Sequence, residues 1–432
     1  MNELKTVQEL IVEKHTTNLR TGFHKWSQEL EGAPPAMGDF RWTEDLILAT
    51  WYQAEHGRPP ENGLEYRTGD SGGGFDLLDF KFLPEGQWLP SETEIDLSIR
   101  LNKRGFGNEI EIPIPIYGGG MSYGSISEQV MLARAEGAKK WDTFFSTGEG
   151  GYPSSLLPYK DNIITQVATG MFGVREETIQ HARIVEIKYA QGAKPGLGGH
   201  LLGDKAKDTV ADLRDCVPWV SLIAPFPFHS VYSVEDHRKH VDWLKTINPE
   251  ALISVKVSTP IDVDMVAVGS FFAGANIVHL DGSYGGTGAA PEIAKKNIAM
   301  PIEFAIPKVH KYLSAENIRD QITIIGSGGV RSAYDIAKII ALGADGCVLG
   351  TAELIAMGCT RCSNCERGRG CPFGLTTTDP LLSQLIEPTW GGERISNLYA
   401  SYAMQLKDIL RKLGLTSIKE LRGRPDVLHY LG

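Results

Sequence analysis

Four of the six cysteines in this sequence fall close together, at Cys359, Cys362, Cys365 and Cys371, and Pro372 follows the last of them. Their C-x2-C-x2-C-x5-C-P spacing approaches the cysteine run of a ferredoxin, whose thiolates hold an iron–sulfur cluster. A structural zinc ion is the alternative, although zinc sites favour two separated cysteine pairs. Clustered cysteines indicate metal binding in a reducing compartment rather than a disulfide framework. The sequence therefore predicts a metal-binding segment in a cytoplasmic protein.

Two glycine turns precede the cysteines. The apolar run Ile322–Ile325 ends in Gly-Ser-Gly-Gly, and the run Asp345–Leu349 ends in Gly-Thr. Such turns expose backbone N–H groups that suit a phosphate, and in TIM barrels the loops after strands seven and eight commonly form a phosphate site. A phosphate cradle beside a cysteine cluster suggests a phosphorylated redox cofactor next to an iron–sulfur centre. The residues predicted to form this cradle are Gly328, Gly329, Gly350 and Thr351.

Charged residues interrupt or follow other apolar runs. Lys256 lies inside an apolar strand pattern, where burying a lysine is costly without an anionic partner. A lysine in that position favours a reduced flavin, which carries negative charge near N1 and O2. Glu149 in STGEGG can hold an ammonium or iminium group or move its proton, with a helix N-cap as the structural alternative. A cationic Lys194 in QGAKPG can pair with a dicarboxylate.

The elements that position these residues follow an alternating pattern from residue 112 onward. Helical patterns such as Ile126–Lys139 and Ile261–Ala275 separate eight strand-like runs, and 166–170 adds an extra element. Eight parallel strands over this length predict an α/β fold, the (β/α)8 TIM barrel. A doubly wound sheet is the rival, but no G-x-G-x-x-G follows the first run. The runs are Ile112–Tyr117, Thr143–Ser146, Ile184–Ala190, Val220–Ala224, Leu252–Ser258, Ile277–Leu280, Ile322–Ile325 and Asp345–Leu349.

The flanking regions lack this alternation. Residues 1–110 predict an N-terminal cap region before a barrel over 111–358, and 359–380 predicts the cluster loop. Residues 381–432 predict a helical extension, most clearly at Ile395–Leu413. A net charge of −10 and a pI near 5.6 disfavour nucleic acid as a partner. No apolar run approaches the ~18 residues of a membrane span, and no secretory signal opens the chain, so no membrane association is expected.

Several strings occur in a fixed order from about Gly118 to the region Ile418–Arg424: MSYGSIS, STGEGG, QGAKPG, GGTGAAP and the cysteine run ending in CP. In order and spacing they resemble the FMN-binding synthase domain of the glutamate synthase family. The resemblance implies an FMN-binding barrel with an adjacent iron–sulfur cluster, which is 4Fe–4S if all four cysteines bind and 3Fe–4S if Cys362 does not. It also implies that 2-oxoglutarate and ammonia condense to 2-iminoglutarate, which reduced FMN converts to glutamate by hydride transfer.

The resemblance assigns residues to the two parts of such a site. The substrate pocket would contain Glu149 and Lys194, and His200 stands where the family has glutamine. Asp281, which follows the sixth strand-like run, is added to the cofactor group. That predicted group is Met121, Ser122, Gln166, Lys256, Asp281, Gly285, Gly286, Thr287, Gly328, Gly329, Gly350 and Thr351.

This chain departs from the family near the pocket. QGAKPGEGGQ of the family reads QGAKPGLGGH here, and Met171 replaces an arginine, which makes the region around Met171, Leu197 and His200 less polar. Neither the glutaminase module with its amino-terminal cysteine nor the β-helix domain of a complete glutamate synthase fits within 432 residues. We therefore expect separate glutaminase-like and β-helix-like subunits in a hetero-oligomer, the subunit division of N-methylglutamate synthase.

Three functional hypotheses follow. In the first, glutamate gives a hydride to FMN, the imine hydrolyses to 2-oxoglutarate, methylamine condenses in place of the released ammonia, and the hydride returns to give N-methylglutamate. In the second, the chain is a glutamate synthase subunit that reduces the imine of 2-oxoglutarate and ammonia. The third is a non-catalytic assembly subunit, which the presence of Glu149, Lys194 and Lys256 together disfavours. The pocket changes favour the first hypothesis.

Overall fold

Eight short parallel strands close into a barrel in which each strand pairs with the next along the chain and the last pairs with the first. The computed structural model describes residues 37–39, 41–61, 74–203, 205–206, 208–288, 290, 293–295, 297–365 and 371–431. The barrel strands are β1 (Ile116–Gly118), β2 (Phe145–Ser146), β3 (Ile163–Ala168), β4 (Ile184–Lys188), β5 (Leu252–Ser258), β6 (Ile277–Asp281), β7 (Thr323–Ser327) and β8 (Gly346–Leu349). The predicted TIM-barrel architecture is confirmed.

One predicted barrel strand is wrong. Within the run Val220–Ala224, only Leu222–Ile223 is a strand, and it pairs antiparallel with His200–Leu201 outside the barrel. The third barrel strand is instead β3, which the sequence analysis marked only as an extra element. Ile223 is 70% exposed, whereas every residue of β3 is buried. Because β3 contains polar residues, its sequence lacks the continuous apolar run that predicts a buried strand. The run Val220–Ala224 has such a pattern but forms part of an exposed hairpin.

The first predicted run is divided between two sheets. Ile112 pairs with Ile99 in a small antiparallel ladder, formed by Ile99–Arg100 and Glu111–Ile112, and only the end of the run enters β1. A third two-stranded pair joins Leu78–Phe80 to Leu428–Tyr430. This last pair connects the region before the barrel to the end of the described chain.

Helices cover the outside of the barrel. Serine caps begin four of the described helices; in two of these the hydroxyl of Ser127 accepts the backbone N–H of Val130, and that of Ser332 accepts the N–H of Asp335. Among the described residues, no helix combines the length and the apolar character needed to cross a bilayer. The helices are α1 (Glu44–His56), α2 (Glu128–Lys140), α3 (Glu176–His181), α4 (Asp208–Leu213), α5 (Val234–Ile247), α6 (Val263–Ala273), α7 (Ile302–Ala315), α8 (Ala333–Ala341), α9 (Thr351–Ala356), α10 (Pro380–Ser383), α11 (Pro388–Leu413) and α12 (Ile418–Leu421).

The long helix α11 packs closely against α2. A Cβ atom added at Gly391 would lie 2.7 Å from the Cβ of Ala133, and one added at Gly392 would lie 2.7 Å from the Cβ of Glu136. The two backbones therefore approach at a distance that only glycine permits without rearrangement. On its other side α11 contacts α1, where Arg394 forms an ion pair with Glu55. The long helix α11 thus holds the region before the barrel against α2 and the barrel.

A buried carboxylate joins three parts of the chain just before β8. The side chain of Asp345 lies 2.5 Å from Lys103 Nζ, 3.0 Å from Arg319 Nη2 and 3.1 Å from Arg422 Nη1. It also accepts the backbone N–H of Ile324 at 2.8 Å. Burial opposes its ionisation, but the three cations outweigh that effect and lower the pKa of Asp345. One ionised carboxylate therefore fastens the cap region, the barrel and the C-terminal extension together.

Candidate active site

A cavity of about 540 Å³ is lined by residues from the carboxyl ends of the barrel strands and the loops that follow them. Every residue predicted for the site lines it, so motifs scattered over more than two hundred residues converge in one place. The lining includes Glu149, Lys194 and His200; the cofactor group Met121, Ser122, Gln166, Lys256, Asp281, Gly285, Gly286, Thr287, Gly328, Gly329, Gly350 and Thr351; and Cys359, Cys362, Cys365 and Cys371. Their roles stay predictions, since position alone does not assign chemistry.

Glycine conformation places the loop that carries Glu149. Gly148 and Gly150 on either side of it have φ of +70° and +96°, the left-handed region that favours glycine. A Cβ atom at Gly148 would lie 2.6 Å from the backbone nitrogen of Ser122. The loop after β2 therefore packs directly against the loop after β1, and this contact directs Glu149 into the cavity.

Glu149 is an ionised carboxylate among cations. Its Oε2 atom lies 3.4 Å from Nζ of Lys188. Burial opposes the charge, but Lys188, Arg214 and Lys194 outweigh that effect and lower the pKa of Glu149. Lys188 is a site residue that the sequence analysis missed. Its signal was a lysine at the carboxyl end of β4, the position from which barrel strands commonly supply active-site groups.

Lys194 and His200 both follow β4 but differ in exposure. Lys194 is 4% exposed, and burial together with the like charge of Lys188 lowers the pKa of Lys194 to about 8. His200 is exposed at the start of the outer hairpin, where partial burial and the charge of Lys194 lower its pKa. Lys194 is thus a cation close to its titration point near neutral pH, and His200 lies at the rim.

A chain of hydrogen bonds runs beneath the cavity. Gln166 Nε2 donates to Glu186 Oε1 at 2.6 Å, and His279 Nδ1 lies 3.0 Å from Glu186 Oε2. On the far side His279 Nε2 lies 2.8 Å from Ser327 Oγ, which donates to Asp281 Oδ1 at 2.6 Å. The chain links β3 and β4 to β6 and β7 across the barrel interior. Glu186 and His279 were not predicted, because each lies inside a strand with no motif around it.

Two carboxylates in this chain stay ionised. Burial opposes ionisation of Glu186, but His279 and Lys256 outweigh it and lower its pKa to about 2. Burial likewise opposes ionisation of Asp281, whose pKa is lowered by Lys256, 3.7 Å away, and by His279. Ser327 donates to Asp281, and His279 bridges Ser327 and Glu186 through its two ring nitrogens.

The same chain fixes the orientation of Gln166. An ionised Glu186 only accepts hydrogen bonds, so the amide nitrogen of Gln166 must face it. The carbonyl oxygen of Gln166 is then buried with no partner among the described residues, although Gln166 lines the cavity. A ligand with an N–H group would satisfy this acceptor, and the isoalloxazine ring of a flavin carries such a group.

The predicted phosphate end also has the required geometry. Gly328 and Gly329 have φ of +95° and +103°. A Cβ atom at Gly328 would overlap the backbone of Gly282, so the turn after β7 is restricted to glycine by space as well as by conformation. A small pocket that shares Gly329 and Thr351 with the cavity is also lined by Lys295 and Arg361. Glycine backbone and cations fit a phosphate group, and the acceptor on Gln166 fits a ring N–H, so the residues present fit FMN at both ends.

The four cysteines of the run all line the cavity. Burial raises the pKa of Cys359 to about 12, and Cys371 is buried. Within the described part of the chain, no three or more cysteine, histidine or acidic side chains are placed closely enough to hold a metal ion. Residues 366–370, inside the cysteine run, lie outside the described residues. The iron–sulfur cluster, its ligand number and the zinc alternative therefore stay predictions.

Two of the three positions that departed from the family pattern lie away from the cavity. Among the described residues that line it, His200 is present but Met171 and Leu197 are not. Met171 is 41% exposed with φ of +54°. Of the three changed positions, His200 is therefore the one that lines the pocket among the described residues. It lies beside the lining residues Leu201 and Leu202.

Residues 89–416 match the family model described as a conserved region in glutamate synthase. An archaeal-type glutamate synthase (NADPH) of Thermotoga maritima is 40% identical over 345 residues, which cover 80% of this chain and 68% of the relative. An archaeal glutamate synthase (NADPH) of Methanocaldococcus jannaschii is 40% identical over 75% of this chain and 63% of the relative. The glutamate synthase (NADPH) large chain of Azospirillum brasilense is 37% identical over 72% of this chain and 21% of the relative.

Among solved structures, a mutant flavocytochrome b2 with benzoylformate superimposes with a TM-score of 0.51. The match covers 90% of this chain and 82% of that chain at 16% identity. At this identity the similarity concerns the fold, a TIM barrel.

Proposed function

The chain belongs to the glutamate synthase family. We propose that it is a glutamate synthase-type flavoenzyme, which reduces the imine that 2-oxoglutarate forms with an amine. The observation that carries this proposal is the ion pair of Glu149 with Lys188, placed beside Lys194 in the same cavity as the glycine cradle. Cations for a dicarboxylate, an anion for an iminium nitrogen and a place for a flavin are thereby brought together.

FMN is the proposed cofactor. Gln166 would accept an N–H of the ring, Lys256 would lie where negative charge develops in the reduced form, and the glycines after β7 would enclose the phosphate. When bound, FMN would supply the hydride that reduces the imine. The hydrogen-bond chain from Gln166 to Asp281 would hold the polar groups of the ring site in fixed positions before substrate arrives.

The substrate roles are divided by charge. Lys188 and Lys194 would bind the carboxylates of 2-oxoglutarate, which places its carbonyl carbon in a defined position. Glu149 would hold the ammonium or iminium nitrogen. It would take or give the proton of that nitrogen as the amine and the ketone condense to an imine and release water. His200 at the rim would contact the incoming amine. Arg214, which donates to Ser122 Oγ at 3.1 Å, would keep the loops after β1 and β2 together.

Electron supply and assembly form a further part of the proposal. Cys359, Cys362, Cys365 and Cys371 would bind an iron–sulfur cluster beside the flavin, because all four line the same cavity. Separate glutaminase-like and β-helix-like subunits would form a hetero-oligomer with this chain.

The amine is the specific point on which two candidates differ. Ammonia as the amine and glutamate as the product agree with the printed names of the relatives. Methylamine, with exchange between glutamate and N-methylglutamate, is the second candidate. Its support is the apolar pair Leu201 and Leu202 beside His200 in the cavity wall, which offers a surface for a methyl group.

A flavin reoxidation assay tests the proposal. FMN-loaded protein, reduced chemically under anaerobic conditions, is mixed with 2-oxoglutarate and either ammonium or methylamine, and products are identified by mass spectrometry. We expect rapid flavin reoxidation with stoichiometric glutamate or N-methylglutamate, and the faster amine identifies the substrate. Reoxidation by neither amine, with flavin shown to be bound, would overturn the proposed reaction.

A further inference from the structure

Arg41 carries a buried guanidinium group that the proposed chemistry has not used. Its side chain is 4% exposed, and neither Nη1 nor Nη2 has a hydrogen-bond partner among the described residues. Arg41 precedes the segment that matches the family model, which begins at residue 89. The residue therefore belongs to the cap region, for which neither the motifs nor the family assigns a role.

The guanidinium lies at the phosphate end of the cavity. Its Cζ atom is 3.7 Å from the ring centroid of Tyr284, in the loop after β6 that continues into Gly285, Gly286 and Thr287. A Cβ atom at Gly329 would lie 2.8 Å from Nη2 of Arg41. Arg41 is therefore in contact with the Gly329 turn, one of the two turns predicted to enclose a phosphate, and with the loop after β6 that supplies other residues of the predicted cofactor group.

Neighbouring arginines have carboxylate partners, whereas Arg41 has none among the residues that the structure describes. Arg331 pairs with Asp76 at 2.5 Å and Asp335 at 2.9 Å, and Arg361 pairs with Asp39 at 2.7 Å. These are structural ion pairs of the ordinary kind. The charges of these two neighbouring arginines are thus balanced by carboxylates before any ligand binds.

An unpaired buried charge is costly, so an arginine without a partner needs another explanation. Burial and the charge of Arg331 lower the pKa of Arg41, while Asp335 and Glu303 favour its charge without forming hydrogen bonds to it. A guanidinium nevertheless keeps its proton in proteins, because its ordinary pKa is far above neutral pH. The site is thus incomplete without an anion.

We propose that Arg41 is a ligand of the phosphate dianion at the end of the cofactor cavity, so that the cap region contributes directly to FMN binding. This proposal deepens the proposed function, on which it rests for the identity of the cofactor. A planar guanidinium can donate two parallel hydrogen bonds to phosphate oxygens, which suits the two free Nη atoms. The contact with the ring of Tyr284, which also lines the cavity, holds the guanidinium beside it.

The test compares two flavins that differ only in the phosphate. Apo-protein is titrated with FMN and with riboflavin, and Kd is measured by quenching of flavin fluorescence. Arg41→Gln should raise the Kd for FMN about 10- to 150-fold, because the phosphate loses a charged hydrogen bond. The Kd for riboflavin should stay unchanged, because riboflavin has no phosphate. Arg41→Lys should give an intermediate value. Arg58→Gln, at an exposed arginine paired with Glu61, is the matched control and should change neither value.

The outcomes separate this proposal from the proposed function. An unchanged FMN Kd in Arg41→Gln, or equal weakening of FMN and riboflavin, would overturn the phosphate role. Inorganic phosphate binding to the apo-protein, measured by calorimetry, is a second readout that should be lost in Arg41→Gln and weakened in Arg41→Lys. FMN binding that depends on Arg41 in a protein without synthase activity would leave the phosphate role standing and refute the reaction.

Discussion

At the scale of single residues, the pocket is organised by an excess of positive charge around one carboxylate. Lys188, Lys194 and Arg214 all act on Glu149, so the local balance is positive before a substrate enters. A dianionic oxo acid restores that balance, whereas a neutral substrate does not. The protonation of each group should therefore be visible in the pH dependence of turnover.

Lys194 predicts a fall of kcat/KM in alkaline solution. Because its pKa is lowered to about 8, Lys194 is cationic below pH 8 and loses its charge as the pH rises through that value. We expect kcat/KM for 2-oxoglutarate to fall above about pH 8, and Lys194→Ala to lower it about 10- to 200-fold at pH 7 while FMN stays bound. A pH profile of both proteins checks this. An identical alkaline limb in Lys194→Ala would assign the titration to another group.

Glu149 predicts a loss mainly in kcat. Glu149→Gln keeps the shape of the side chain but removes the charge that steadies an iminium and the group that moves its proton. We expect kcat to fall about 100- to 10,000-fold, with the flavin absorption spectrum little changed. Steady-state kinetics with a spectrum of each preparation measures both. Loss of flavin from Glu149→Gln would move this residue from the substrate to the cofactor.

Cys362 separates the alternatives for the cysteine segment. The structure places it in the cavity wall with the other three cysteines, so the expected result is a four-ligand 4Fe–4S cluster. Iron and sulfide analysis with electron spin resonance should show loss or conversion of the cluster in Cys362→Ser. An unchanged spectrum would indicate a three-ligand 3Fe–4S centre, and stoichiometric zinc without sulfide would exclude the redox role.

At the scale of elements, motif residues could be predicted from the sequence but the supporting polar network could not. Glycine turns and charged strand ends can be recognised in the sequence, because a turn needs particular residues at adjacent positions. Glu186 and His279 come from strands far apart in sequence, and only closure of the barrel brings them together. The same limit explains why Val220–Ala224 replaced Ile163–Ala168 in the predicted strand order. Apolar content does not distinguish an exposed hairpin from a buried strand.

The contact between α2 and α11 predicts a stability effect remote from the cavity. Gly391→Val would force atoms into the space of Ala133, and overpacking of this kind costs about 1–3 kcal/mol. Gly105→Val is the control, because a Cβ atom there meets nothing within 4 Å. Denaturant unfolding should show a lower midpoint for Gly391→Val and little change for the control. Equal unfolding midpoints for Gly391→Val and wild type would mean that the two helices accommodate the larger side chain without loss of stability.

At the scale of the whole molecule, the cap, barrel and extension depend on one another. Asp345 holds Lys103, Arg319 and Arg422 together, and Arg331 joins Asp76 of the region before the barrel to Asp335 of α8. Neither flanking region is therefore a separate attachment. The sequence analysis predicted both regions but not these contacts, since ion pairs over such separations have no local pattern.

Removing the Asp345 carboxylate should destabilise all three regions at once. Asp345→Asn leaves buried cations without their partner, a change that costs about 3–5 kcal/mol. The folded pKa of Asp345 is lowered, so its contribution is present above the ordinary carboxylate pKa and is lost as the pH falls through the folded value. Thermal unfolding at pH 7 should show a single, lower Tm, and the difference from wild type should shrink in acid. Asp426→Asn, at an exposed pair with Arg424, should change little.

The pairing of Leu78–Phe80 with Leu428–Tyr430 also orders events in time. A ribosome delivers the first of these strands long before the second, so the early strand must wait unpaired while the barrel is synthesised. The cap that carries Arg41 gains this pairing only when Leu428–Tyr430 emerges. A nascent chain stalled before Leu428 should therefore hold the barrel but bind FMN more weakly than a chain that includes this strand.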